Sequence, residues 1–147
     1  MTVDNDILIP RFAEYLQDRK EVLFTPSGVS MRPFIEGGKD SVVLQPLTRD
    51  PRVGDILLAN VHTPHGNTYV LHRLVRVTNG SNGPIYVLQG DGNLCGEETC
   101  ARQEIIGRVT DITTPSGRHK RLTRGRVWYA LKPFRKWLLK IYRNTMV

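Results

Sequence analysis

Tyr69-Val70-Leu71-His72-Arg73-Leu74-Val75-Arg76-Val77, then Asn79-Gly80-Ser81-Asn82-Gly83-Pro84, then Ile85-Tyr86-Val87-Leu88, is the stretch whose reading decides the fold. Two runs rich in β-branched, aliphatic and aromatic residues flank a polar loop that holds Gly80, Gly83 and Pro84. That pattern specifies a β-hairpin. In the first run, Val70, His72 and Leu74 fall on one face at the two-residue period of a strand. The second run ends in Gln89-Gly90-Asp91-Gly92-Asn93, a turn signal.

Outward from the hairpin the same grammar repeats. Ser41–Pro46 and Ile56–Val61 read as strands, separated by Pro51-Arg52-Val53-Gly54-Asp55. Thr63-Pro64-His65-Gly66-Asn67 is the next loop, and Glu104–Ile112 is the last clear strand. Val22-Leu23-Phe24 leads into Pro26-Ser27-Gly28-Val29-Ser30-Met31-Arg32-Pro33-Phe34-Ile35, where two prolines and a glycine bracket Ser30. Turns every ten or so residues predict a mainly β body, a small barrel or sandwich. Two helical segments flank it. Residues 6–20 place Phe12, Tyr15 and Leu16 at helical spacing, with Asp4, Asn5 or Asp6 to cap the start. Near the end, Val127, Ala130, Leu131, Phe134, Trp137, Leu138 and Ile141 form an apolar stripe that Pro133 divides. The organisation expected is a β domain over 1–117 and a basic amphipathic helical tail over 118–147.

At 147 residues the chain has the length of one domain with one modest core. It is 39% hydrophobic and 24% charged, which excludes a disordered chain. The net charge of +7 is unevenly placed. Ten basic and no acidic residues lie from Arg118 on, leaving 11 basic against 14 acidic residues, a net charge of −3, in residues 1–117. A segregated basic tail calls for an anionic partner. With its tryptophans and tyrosines it suits an anionic membrane surface; the competing reading is a helix docked on the β body with its lysines solvated. Nucleic acid is not expected, because no recognised binding motif accompanies the charge. Neither a signal peptide nor a membrane-spanning run is expected, which suggests a cytoplasmic or peripheral membrane protein. Cys95 and Cys100 read as two free thiols in a loop, or as a local disulfide in an oxidising compartment. They are a poor metal pair, and no metal or cofactor is expected.

Three side chains are the candidates for chemistry, although Ser30 also reads as an incidental serine in a turn. A serine hydroxyl needs a base, and Ser30 sits on a turn that exposes it. Of the four histidines, His62 and His65 lie in a Pro/Gly loop and His119 in the basic tail. His72 lies inside a strand on an apolar face, where partial burial favours the neutral imidazole that a base needs. A satisfied structural histidine is the alternative. Asp91 ends the partner strand; it is either a turn former or the acid that reaches the imidazole across the hairpin and holds its tautomer.

Ser30-Met31-Arg32-Pro33, Gly54-Asp55-Ile56-Leu57, His72-Arg73, Gly90-Asp91-Gly92-Asn93 and Gly107-Arg108-Val109, in that order, resemble the boxes of the signal peptidase I family. The wider group includes LexA-like self-cleaving repressors. The resemblance covers roughly residues 24–112. It implies a mostly β peptidase fold with Ser30 as nucleophile. His72 stands where bacterial members carry lysine, so the chain looks like the endoplasmic-reticulum and archaeal type that pairs serine with histidine. Asp91 matches that type's aspartate, and Gly54 and Asp55 match a box that shapes the fold. A second acid sometimes follows the aspartate, and Glu97 and Glu98 are nearest. The backbone N–H of Ser30 is implied as one oxyanion donor, with Ser27 and Met31 as flanking oxyanion or substrate-contact positions. Phe34 departs from the family's threonine, and Gly92 interrupts its Gly-Asp-Asn.

The function expected is a serine endopeptidase acting on an extended, leader-like or signal-peptide-like substrate, with Ser30, His72 and Asp91 as catalytic residues. One alternative is a non-catalytic or self-processing LexA-like module. Self-cleaving relatives use a lysine base, and no lysine lies between Lys39 and Lys120. The other is a membrane-surface or nucleic-acid adaptor acting through 118–147.

Overall fold

The structure, a computed structural model, describes residues 8–145. It is mainly β. Eight strands form one antiparallel sheet: β1 (Val22–Phe24), β2 (Ser41–Gln45), β3 (Ile56–Thr63), β4 (Gly66–Gly80), β5 (Gly83–Gln89), β6 (Glu98–Cys100), β7 (Ile105–Thr113) and β8 (His119–Lys120). The order across it is β1-β2-β7-β3-β4-β5-β6, with β8 on β7. Helix α1 spans Leu8–Gln17, α2 Arg126–Ala130 and α3 Arg135–Thr145.

The sheet curls without becoming a clean barrel. β3 pairs with β4 along its length and divides its other edge between β7 and β6. Strands β3 to β6 therefore close on themselves around one core of Leu57, Ala59, Val61, Val70, Leu74, Tyr86, Leu88, Cys100 and Ile105. A second core lies on the opposite face, where Ile56, Leu58, Leu71 and Val109 meet Phe12 and Leu16 of α1 and Met31 and Ile35 of the serine loop. Because β3 is buried on both faces, it reads as a continuous apolar run.

The hairpin read from the sequence is present and tighter than expected. Gly80 pairs with Gly83, leaving only Ser81 and Asn82 in the turn. A bulge at Val75 shifts the register between Leu74 and Arg76. Asp55 accepts from Arg49 at 2.9 Å and from the Arg52 N–H at 2.9 Å, while Leu74 N–H donates to the Asp55 carbonyl at 2.7 Å. Gly54 and Asp55 thus shape the turn that starts β3.

Several expectations change. α1 is shorter than 6–20 and ends before Arg19, which takes a positive φ of 58°. The expected caps Asp4, Asn5 and Asp6 lie outside the described residues. Tyr15, expected in the core, is exposed with Lys20 over its ring, while Phe12 and Leu16 are buried. The cysteine loop holds a strand, β6, which the sequence reading missed. Cys95 is exposed and Cys100 is buried; both are free thiols, and burial pushes the Cys100 thiol up to about 12.

The C-terminal segment is integrated with the β body. β8 pairs with β7, Lys120 Nζ donates to Asp40 at 2.5 Å, and Arg124 Nη1 donates to the Val53 carbonyl at 3.0 Å. Part of the segregated basic charge is therefore neutralised by the acidic body. The side chains that dock lie off the apolar stripe. Trp128 and Arg135 are buried, whereas Val127, Phe134, Trp137 and Ile141 are exposed. Pro133 lies in a 3₁₀ turn, Lys132–Phe134, that separates α2 from α3. Among the described residues no helix is long and apolar enough to cross a membrane.

Candidate active site

The serine loop joins β1 to β2 and is held at several points. Gly28 takes a φ of 91°, a backbone conformation that favours glycine. Gly38 N–H donates to the Pro26 carbonyl at 2.7 Å. Arg32 grips Glu36 in the same loop through two nitrogens, and Tyr142 of α3 donates to Glu36 at 3.1 Å. The Arg32 guanidinium, and after it the Tyr142 hydroxyl, hold the Glu36 carboxyl below the usual carboxylate range against the opposing effect of burial. Gly92 N–H donates to the Ser30 carbonyl at 2.7 Å. A Cβ on Gly92 would come within 2.7 Å of the Val29 carbonyl oxygen, and one on Gly90 would collide with the Ser30 carbonyl. Gly92, which departs from the Gly-Asp-Asn pattern, thus joins Gly90 in letting the loop after β5 lie against the serine loop.

Ser30, half-buried, meets His72 from β4: Oγ and Nε2 are 3.0 Å apart. The other ring nitrogen, Nδ1, is 2.9 Å from Glu98 Oε2. An ionised carboxylate only accepts, so Nδ1 carries the proton and donates it to Glu98. Nε2 is then the unprotonated nitrogen and accepts from the Ser30 hydroxyl. Burial lowers the His72 pKa from its ordinary value, and the Glu98 carboxylate pulls the other way. The result is a neutral, correctly oriented imidazole against a serine hydroxyl.

Asp91 is not the acid at His72, which corrects the expected Ser30–His72–Asp91 arrangement. Its carboxylate is gripped by Arg73, with Nε donating to Oδ1 at 2.9 Å and Nη2 to Oδ2 at 2.8 Å. The reason is strand parity. His72 and Arg73 are consecutive, so they point to opposite faces of β4, and Asp91 lies on the Arg73 side. Asp91 is fully buried. Burial pushes its carboxyl up, and Arg73 pulls it back. Its backbone carbonyl accepts from the Trp128 indole at 2.7 Å, and Arg73 Nη1 also donates to the carbonyls of Gly54 at 2.8 Å and Thr123 at 2.6 Å. This pair ties the end of β5, the turn before β3 and the C-terminal segment together. Phe34 belongs to the same cluster: its ring lies 5.0 Å from the Arg73 guanidinium carbon and edge-on to Trp128 at 6.1 Å.

Glu98 is the residue that sequence reasoning did not commit to. Of the two acids nearest the Asp91 box, Glu97 is bound to Arg76 at 2.7 Å. Glu98 shares a strand face with Cys100, which is buried in the core that β3 to β6 enclose. That face is the one carrying Val70, His72 and Leu74. The alternation Glu98-Thr99-Cys100 was the available signal, hidden in what read as a loop.

Met31 is fully buried, with its sulfur 3.5 Å from the Asp91 backbone N–H. It packs the core beneath the serine, so its side chain is not a substrate contact. Ser27 is exposed in the same loop. Among the described residues no group of three His, Cys, Asp or Glu is placed to hold a metal ion. His62 bonds Glu104 and Asn67 at the surface, and His119 bonds Asp111. No family model, curated protein or solved structure matches the chain.

Proposed function

We propose that this protein is a serine endopeptidase that uses Ser30 as nucleophile, His72 as general base and Glu98 as the orienting acid. The observation that carries the reading is the relay Ser30 Oγ to His72 Nε2 at 3.0 Å and His72 Nδ1 to Glu98 Oε2 at 2.9 Å. His72 takes the hydroxyl proton as Oγ attacks the peptide carbonyl, then delivers it to the leaving amine. Glu98 stabilises the imidazolium formed between these steps. The Ser30 backbone N–H serves the developing oxyanion, with the exposed Ser27 as the candidate second donor. A water activated by His72 then releases the acyl group from Ser30.

The ordered boxes that resemble signal peptidase I support a peptide substrate. So does β1, which ends the sheet on one side and runs directly into the serine loop. A peptide laid along that edge would gain backbone hydrogen bonds and bring its carbonyls past Ser30. A fluorophosphonate probe followed by peptide mass mapping tests the reading. The expected adduct is on Ser30, absent from Ser30→Ala and strongly reduced in His72→Ala. A folded protein that leaves the probe unreacted refutes it.

A second reading concerns place. The outward side of the C-terminal segment carries Phe134, 59% exposed, and Trp137, 63% exposed, with Val127 and Ile141, and Arg126 and Lys132 flank them. We infer that this stripe rests on an anionic membrane surface, where amphipathic aromatic side chains and lysines both gain. Co-sedimentation with phosphatidylserine vesicles should weaken with salt and be lost in Trp137→Ser/Ile141→Ser. Undiminished sedimentation of that variant would reject it.

A further inference from the structure

Helix α3 carries three distinct stripes. At about 100° per residue, Arg135, Leu138, Leu139 and Tyr142 form the docked side, and Trp137 and Ile141 the outward apolar side. Lys136, Lys140 and Arg143 fall between them, at the i, i+4, i+7 spacing of a single face. These three cations make no ion pair among the described residues, whereas the basic residues Arg32, Arg73, Lys120 and Arg124 all do.

The stripe does not face open solvent alone. It forms one wall of a cavity of about 340 Å³ whose other wall is Val29, Arg32, Gly92 and Leu94. Val29 precedes the serine, and Gly92 donates its N–H to the Ser30 carbonyl. The cavity therefore lies beside the serine loop, with the residue before Ser30 in its wall. Its apolar lining is Val29, Leu94 and Leu139, its polar lining is cationic, and no acidic side chain contributes to it. A partly enclosed surface of one sign attracts the opposite charge more strongly than the same charges spread over an open surface.

We propose that this cleft is a substrate subsite for an acidic side chain close to the bond that Ser30 attacks. A glutamate or aspartate of the peptide would place its methylenes against Val29, Leu94 and Leu139 and its carboxylate among Lys136, Lys140 and Arg143. This deepens the endopeptidase reading and rests on it for the direction in which the peptide runs. An anionic lipid headgroup offers similar charge. The peptide is favoured because the cleft is walled by Val29 and Arg32 of the serine loop, while the apolar residues suited to a membrane lie on a different side of α3.

The test uses the full chain and a set of internally quenched peptides that differ only by Glu, Gln or Lys at each position around the cleaved bond. Glu should exceed Gln in kcat/KM by about tenfold at one position, and more salt should shrink that ratio. Lys136→Glu/Lys140→Glu should reverse the preference toward Lys, with Lys136→Gln/Lys140→Gln intermediate; circular dichroism checks that each is folded. Equal kcat/KM for Glu and Gln peptides everywhere, with Ser30 still labelled by fluorophosphonate, overturns the subsite and leaves the catalytic reading intact. Failure of labelling and turnover refutes the catalytic reading, and the subsite is then judged by binding. Fluorescence anisotropy of the labelled Glu peptide on Ser30→Ala should show tighter binding than the Gln peptide, lost on Lys136→Glu/Lys140→Glu. Equal binding overturns it. So does a result in which the lysine variants lose phosphatidylserine vesicle binding yet keep every peptide preference.

Discussion

His72 and Arg73 are adjacent on β4 and point to opposite faces of the sheet. Each meets one carboxylate, His72 that of Glu98 at 2.9 Å and Arg73 that of Asp91 at 2.8 Å. The two acids come from either end of one short loop, seven residues apart in sequence. Their surroundings differ. Asp91 is sealed in, held by a bidentate guanidinium, and its backbone also takes the Trp128 indole. Glu98 is partly open to solvent, and its partner is an imidazole that is also in contact with a hydroxyl. A buried, fully paired carboxylate fixes structure, because removing it strands a buried charge. A carboxylate on the far nitrogen of a buried imidazole fixes protonation and tautomer. One strand thus separates the buried Arg73–Asp91 pair from the Ser30–His72–Glu98 relay by side-chain parity.

The comparison breaks most visibly at the serine. Ser30→Ala should lower kcat by about 10⁴–10⁶-fold and leave the melting temperature close to that of the parent, since the hydroxyl's only role in the contrast is chemical. A loss of stability matching the loss of rate would make the hydroxyl structural.

The crossed substitutions sharpen it. Asp91→Ala should cost about 3–5 kcal/mol of stability, a fall of roughly 10 °C or more in melting temperature, because Arg73 is left buried without its partner. Glu98→Gln should do the reverse: a fall of about 10²–10⁴-fold in kcat with little change in thermal unfolding. If Asp91→Ala spares stability while abolishing turnover, the roles assigned to the two acids are exchanged.

A smaller effect lies in the pH profile. Burial holds the folded pKa of His72 below its ordinary 6.5, so the base stays neutral on acidification until that lower value is reached. The acid limb of kcat/KM should therefore fall below pH 6.5. Glu98 favours the protonated ring, so Glu98→Gln should move the limb further down, while Asp91→Asn should move it less. An acid limb that rises in Glu98→Gln would contradict the assignment.

The smallest effect concerns the brace behind the loop. Tyr142→Phe removes one hydrogen bond to Glu36 and should cost about 1–2 kcal/mol in urea unfolding. A proportionate drop in kcat would show that α3 helps hold Ser30 in place.

The sequence determined a good deal of this. The 69–88 hairpin, the turns at 51–55 and 89–93, the alternation through β2 and β7 and the short apolar run of β3 specified a mainly β chain, because strand pattern and turn chemistry are local. Ser30 and His72 were legible as a pair from residue type and order, though nothing local brought residues 42 positions apart to 3.0 Å. Three things waited for the tertiary structure. Which acid meets the imidazole depended on β6, a three-residue strand too short to carry a period, and on the face from which Asp91 approaches. Which side of the C-terminal segment docks depended on Trp128 and Tyr142 finding hydrogen-bond partners at Asp91 and Glu36. Whether Lys136, Lys140 and Arg143 are solvated or line a cleft depended on where α3 lies relative to the Ser30 loop. Local sequence sets the period and the turns; long-range packing decides which face meets which neighbour, and here that choice separates the acid that meets His72 from the one that meets Arg73.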